Sequence, residues 1–259
     1  MSQRPLSVVY VTQDCAVALQ RSLQSIDDLA DEILVVDGGS RDDTMEVARA
    51  AGARVLQHSW AGFAAQRQYA VEQAANDWIL MLDSDELLTD CGREEIRQVL
   101  QQKPEAAAYL LPRYSVFRSR RIRHGDWRHD VVIRLFDRRQ GQYDLDELVH
   151  EAWRSRGKTA QISCPCLEHH SYVSYAQLLA KAGRYTELNA QKVVARGRSV
   201  GPWAPMSHAL WAFFRGYVLR LGFLDGVEGG AIAWTTALGA YFKYAIARDL
   251  LAAQAGKRR

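Results

Sequence analysis

A chain of 259 residues that is 48% hydrophobic and 24% charged holds enough apolar side chain to close a sizeable core, which excludes wholesale disorder. Its net charge of +3 conceals a division: residues 1–151 carry 18 Lys and Arg against 25 Asp and Glu, whereas residues 152–259 carry 15 against 5. The four cysteines, Cys15, Cys91, Cys164 and Cys166, form neither a disulfide framework nor a zinc-ligand spacing, which is the pattern of a reducing compartment.

Residues 1–5 lack the apolar core of a signal peptide and lead directly into residues 6–11, a β-branched apolar run that predicts a first strand ending at Thr12. Apolar residues at helical spacing over 16–26 predict a helix packed on the sheet. A second buried strand at 33–36 closes at Asp37-Gly38-Gly39-Ser40, where the glycines free the backbone to approach a ligand and Ser40 suits a helix cap. A helix through about 51, a strand at 54–57 and a helix at 64–75 follow. Strands alternating with helices predict an α/β domain with a largely parallel sheet. The loop after the first strand, Thr12-Gln13-Asp14-Cys15, has no glycine, which counts against a dinucleotide-binding fold.

The strongest local signal is Asp77-Trp-Ile-Leu-Met-Leu-Asp83-Ser-Asp85-Glu86. The apolar run reads as a buried central strand whose carboxyl end opens onto a crevice, where ligands of such sheets bind. Asp83 and Asp85 are two apart, so on an extended chain both carboxylates face one volume and suit Mg²⁺ or Mn²⁺ holding a diphosphate. Acidic residues also favour helix starts, and the residues alone leave both readings open.

A helix at 93–101 and strands at 106–111 and 131–136 come next. Residues 113–139 hold nine arginines among Tyr114, Phe117 and Trp127, a composition suited to an anionic acceptor or to a solvated charged loop. Glu151 lies among apolar neighbours, which favours a raised pKa and a base's role, although such a glutamate is often structural. His169 and His170 point opposite ways on an extended segment, so at most one reaches a metal.

From residue 175 onward the chain reads as helical: an amphipathic helix at 175–194, then aromatic-rich segments at 208–221 and 229–248 flanked by Arg215, Arg220, Lys243 and Arg248. These fit helices lying in a membrane interface, or a hairpin packed on the catalytic domain. The longest uncharged apolar stretch, residues 229–242, is 14 residues, short of the roughly 18–20 that span a bilayer. No nucleic-acid motif accompanies the basic residues, so no nucleic-acid partner is expected.

The ordered set Thr12, Val-Val-Asp37-Gly-Gly-Ser-Arg-Asp-Asp-Thr44 and Leu-Asp83-Ser-Asp85-Glu86 resembles family 2 glycosyltransferases of the GT-A fold, over residues 6 to about 172. Arg134-Leu-Phe136, Val-His-Glu151, His169 and Gly-Phe-Leu-Asp225-Gly are similar to the subgroup of bacterial lipopolysaccharide-core β-glucosyltransferases. The resemblance implies a catalytic domain over 1–172 and a helical extension over 173–259 at the inner face of the inner membrane. It implies an inverting transfer from a nucleotide sugar, UDP-glucose as the best match, to an anionic lipid-linked saccharide. Thr12 and Asp37 would hold base and ribose, Arg67 the base or diphosphate, and Asp83 the ribose side. Asp85 and His169 would hold Mg²⁺ or Mn²⁺, and Glu151 would be the base, with Asp146 and Glu147 as nearby substitutes. Two departures are Gln68, where asparagine is usual, and His129, where proline is expected. The alternative from another class is a non-catalytic membrane-surface protein that retains the fold.

Overall fold

Short apolar runs without alternation build the centre of the sheet because both of its faces are covered. In β1 (Leu6–Thr12), Leu6, Val8 and Tyr10 enter one core cluster, while Val9 enters the cluster on the other face. This is a computed structural model, and it describes residues 4–26, 28–102, 104–128, 130–144, 152–197 and 199–256.

After β1 come α1 (Ala16–Ile26), β2 (Glu32–Asp37), α2 (Thr44–Ala50), β3 (Arg54–Gln57), α3 (Phe63–Gln73) and β4 (Trp78–Leu82). Helix α1 buries Leu19, Leu23 and Ile26, the apolar positions its spacing brings to one face. All five residues of β4 are buried: Trp78, Leu80 and Leu82 point to one cluster and Ile79 and Met81 to the other. Strands β3, β2, β1 and β4 are neighbours in that order and all parallel, so their carboxyl ends lie along one edge.

Beyond the acidic run the chain forms β5 (Glu86–Leu88) and then α4 (Asp90–Gln101). The helix is capped by Thr89, whose Oγ1 accepts from the Gly92 N–H at 3.0 Å. The acidic residues 83–86 are therefore not the start of that helix. There follow β6 (Ala108–Phe117), β7 (Arg120–Arg121), β8 (Asp130–Asp137), β9 (Gly141–Tyr143), β10 (Trp153–Ser155), β11 (Thr159–Gln161) and β12 (Leu167–Tyr172). The main sheet continues as β4-β8-β6-β12-β5, with β8 antiparallel to both β4 and β6, and β12 antiparallel to β5.

The C-terminal elements are α5 (Tyr175–Ala195), α6 (Ala204–Phe213), a π-helical turn at Phe214–Leu219, a 3₁₀ turn at Gly222–Asp225 and α7 (Gly226–Gly256). Leu221 sits in the left-handed region at φ 58°, which ends the π-helical turn. The backbones approach closely here: a Cβ on Gly229 would lie 1.9 Å from the Gly222 carbonyl oxygen. Packing divides the chain into two compact units, the described residues of 1–114 with 130–170, and of 115–129 with 171–256. Residues 115–129 thus group with the helices rather than with the catalytic domain assigned from sequence. The buried Asp225 explains part of this, since it accepts from the N–H groups of Arg123 at 3.1 Å and His124 at 2.7 Å. Asp126 pairs with Arg215 at 3.0 Å and Arg220 at 2.5 Å, which engages two arginines that sequence reading places at a membrane rim.

Candidate active site

The carboxyl ends of β1 and β2 bring Thr12 and Asp37 side by side in register. Thr12 Oγ1 donates to Asp37 Oδ2 at 3.2 Å, and both residues are buried. Asp37 also ties down the loop that follows it: Oδ1 accepts from the N–H groups of Gly39 at 2.9 Å and Ser40 at 2.8 Å, and Oδ2 accepts from Ser40 Oγ at 2.5 Å. Gly39 adopts φ 102°, a conformation that favours glycine. Gly38 faces Trp60, whose ring would lie 2.9 Å from an added Cβ. Asp37 therefore shapes a loop of backbone and hydroxyl groups at the strand ends, and its own oxygens are engaged by that loop.

At the end of β4 the chain turns rather than continuing extended. The Glu86 N–H donates to the Asp83 carbonyl at 3.0 Å, and the Asp83 N–H donates to Glu86 Oε2 at 3.1 Å. The expectation that Asp83 and Asp85 point together from an extended strand is corrected by this turn. Asp83 faces arginines: Oδ1 accepts from Arg67 Nη2 at 2.6 Å and Oδ2 from Arg134 Nη2. Glu86, fully buried, accepts on Oε1 from Arg134 Nη2 at 2.8 Å and Arg113 Nη1 at 2.5 Å, and Arg113 Nε reaches Asp130 at 3.0 Å. The result is a row of alternating charge, Arg67, Asp83, Arg134, Glu86, Arg113 and Asp130, balanced in sign. Burial opposes ionisation of Asp83, but the fields of Arg134 and Arg67, with smaller contributions from His169 and Arg113, hold its carboxyl far below the usual range. For Arg134 burial disfavours the cation, and Asp83 and Glu86 outweigh it and raise its pKa.

Asp85 has a different environment. Its carbonyl accepts from the His170 N–H at 2.8 Å, which fastens the turn to β12, and His169 pairs in register with Glu86. The His169 Nε2 then lies 3.4 Å from Asp85 Oδ2, with the side chains 20% and 30% exposed. His170 turns to the other side, its Nε2 3.0 Å from Glu168 Oε2, in keeping with the alternation of an extended strand. Of the sequence-derived ligands, Asp85 and His169 are thus brought together and both reach solvent. Among the described residues no three His, Cys, Asp or Glu side chains form a metal-holding group. Two protein ligands of this type fit Mg²⁺ or Mn²⁺, which keep waters and take substrate phosphates for the remaining positions.

Glu151, together with Asp146, Glu147 and His129, lies outside the described residues. Gln68 has a structural task, its Oε1 accepting from the Tyr143 N–H at 3.0 Å. Sequence reasoning missed Arg113, Arg134 and Glu86 as the charges beneath the site. The available signal was a single arginine inside each of two apolar strands, since a buried charge requires a partner. The arginine-rich stretch 113–139 is in large part internally paired: Arg118 and Arg120 meet Glu228, and Arg139 meets Asp77 and Asp137.

The family model described as "Glycosyl transferase family 2" matches residues 7–162. An uncharacterized glycosyltransferase of Rickettsia prowazekii is 24% identical over 257 residues, covering 95% of this chain and 88% of that protein. The lipopolysaccharide core biosynthesis glycosyltransferase LpsC of Rhizobium meliloti is 27% identical over 254 residues, covering 93% of this chain and 94% of that protein. Among solved structures, glucosyl-3-phosphoglycerate synthase from Mycobacterium tuberculosis, in complex with Mn²⁺, UDP and glucosyl-3-phosphoglycerate, overlaps 44% of each chain at 24% identity and a TM-score of 0.34.

Proposed function

The chain belongs to glycosyltransferase family 2, and on that premise we propose that it transfers glucose from UDP-glucose, with inversion, to the lipopolysaccharide inner core or another lipid-linked glycan. The observation that carries the reading is the pairing of Asp85 and His169 at 3.4 Å, at the carboxyl end of a central parallel strand. The relative named for lipopolysaccharide core biosynthesis, aligned over nearly the full length of both chains, supports the acceptor.

The loop shaped by Thr12 and Asp37 receives the base and ribose. Arg67, locked to Asp83, contributes positive charge to the floor of the site. Asp85 and His169 hold the divalent ion, Mg²⁺ or Mn²⁺, which when bound neutralises charge on the diphosphate leaving group. Glu151 takes the proton of the acceptor hydroxyl as that oxygen attacks the anomeric carbon from the face opposite the diphosphate. The new C–O bond forms as the bond to the diphosphate oxygen breaks, its electron pair leaves with UDP, and an α-linked donor gives a β-glycoside.

We further place the enzyme on the cytoplasmic face of the bacterial inner membrane. Support comes from the exposed apolar side chains of the second unit, with Trp203 79%, Leu210 63% and Trp234 60% exposed. No helix among the described residues is long and apolar enough to cross a membrane.

The test of the chemical role is Glu151→Gln. Transfer should fall by about 10²–10⁴-fold, the range for losing a general base, while UDP-glucose binding stays within a factor of about two. Parallel loss of binding and transfer would remove Glu151 from the role of base.

A further inference from the structure

Within the second unit, helices α5, α6 and α7 enclose a cleft of about 370 Å³ that the transfer chemistry does not use. Its walls are largely apolar, with Leu178 and Ala182 from α5, Ala212 from α6, and Ile232 and Ala240 from α7. Thr186 and Thr235 also line it, but their hydroxyls donate to the Ala182 and Ala231 carbonyls of their own helices at 2.7 and 2.6 Å. These positions present hydrocarbon and hydroxyls already satisfied, while Asn189, Tyr172 and Tyr244 add polar groups to the lining.

Two cationic side chains, Arg215 and Lys243, stand in this lining, and no carboxylate of the described residues does. Arg215 is paired with Asp126 through Nη2, yet its buried Nε has no hydrogen-bond partner among the described residues. Lys243 forms no ion pair with any carboxylate of the described residues, and its ammonium lies 4.5 Å from the Tyr244 ring centroid. Burial alone pushes its pKa down. A cation in such a setting gains from an anion that enters with it. Trp211, which lines the cleft, is 53% exposed and follows the exposed Leu210, so apolar surface adjoins the lining.

We propose that this cleft binds the hydrocarbon chain of an anionic amphiphile, with Lys243 receiving its phosphate or carboxylate head group. A hydrophilic anion alone leaves the apolar wall unused, and a neutral amphiphile leaves Lys243 without a counter-charge. The proposal is independent of the donor chemistry, because binding is read without nucleotide.

The probes are octyl phosphate, butyl phosphate, inorganic phosphate and octyl glucoside, each below its micelle concentration, followed by tryptophan fluorescence, since Trp127 and Trp211 line the cleft. Octyl phosphate should saturate one site, and each two methylenes removed should weaken binding on the order of tenfold. Lys243→Met should weaken octyl phosphate on the order of tenfold and leave octyl glucoside unchanged. Ala240→Phe, which fills the cleft, should abolish octyl phosphate binding with the circular dichroism of the wild type retained. UDP-glucose binding, measured in parallel, should be unaltered in both variants. Equal affinity for phosphate and octyl phosphate, equal affinity for octyl phosphate and octyl glucoside, or an unchanged Lys243→Met would each overturn the proposal.

Discussion

Asp83 and Asp85 look equivalent in sequence, and the structure gives them different neighbours. Asp83 lies between Arg67 and Arg134, whereas Asp85 faces His169. Removing Arg134 leaves Asp83 and the buried Glu86 short of a cation, so Arg134→Met should cost roughly 3–5 kcal/mol in urea unfolding, the range for breaking a buried pair. An unchanged unfolding midpoint would show that the row is not a structural element. The sign of the pH dependence follows from Asp83, whose folded pKa lies below its unfolded value. Its contribution is fully present above about pH 3.9 and is lost as pH falls through the folded value. Asp83→Asn should therefore be less stable than wild type at pH 7, with the gap narrowing only below about pH 4. A gap that narrows between pH 7 and pH 5 would place the controlling group elsewhere. The acidic pair was legible in the sequence, and its division into a ribose-side Asp83 and a metal-holding Asp85 came only from the family resemblance. The difference in their neighbours depends on arginines supplied by α3 and by β8, distant in sequence.

At the scale of elements, β4 was legible because a five-residue apolar run closed by acids has few other readings. Strands β1 to β3 and helix α1 were legible for the same reason of local pattern. The turn at 83–86 was not, because acids and a serine carry no strand signal, and neither was β5, whose three residues Glu86–Leu88 are too few to show a period. The pairing of β5 with β12, which brings His169 to Asp85, is a long-range contact that periodicity does not encode. The break between the last helices was expected near Gly222. The close approach of the Gly222 and Gly229 backbones at that break is visible only in three dimensions. Gly229→Ala forces a Cβ into a carbonyl oxygen, so it should destabilise the helical unit by about 1–3 kcal/mol, read as earlier loss of helical circular dichroism on heating. A variant that melts with the wild type would mean that the turn yields at no cost.

At the scale of the whole molecule, the charge division gave the basic C-terminal half its reading as a surface for anionic lipid. Part of that charge is spent internally, since Arg215 and Arg220 both pair with Asp126. Membrane binding should therefore rest more on the exposed aromatic and aliphatic side chains than on ion pairing. Retention on vesicles containing anionic lipid is expected to fall only partly between low salt and physiological salt. Complete release by salt would make the attachment electrostatic instead. Substitution of both Trp203 and Trp234 by serine should release the protein from those vesicles while leaving nucleotide binding intact.

The proposed role of Asp85 is to hold a divalent ion at the nucleotide site. Its most direct test is thermal unfolding with UDP, GDP, dTDP, CMP and ADP, each with and without Mn²⁺, in wild type and Asp85→Ala. A nucleotide at 100 times its Kd contributes about 2.7 kcal/mol, a visible shift in Tm. UDP should stabilise the wild type only when Mn²⁺ is present, and Asp85→Ala should lose that shift while keeping its unliganded Tm within a few degrees. Stabilisation by UDP that is indifferent to Mn²⁺ or survives in Asp85→Ala would contradict it.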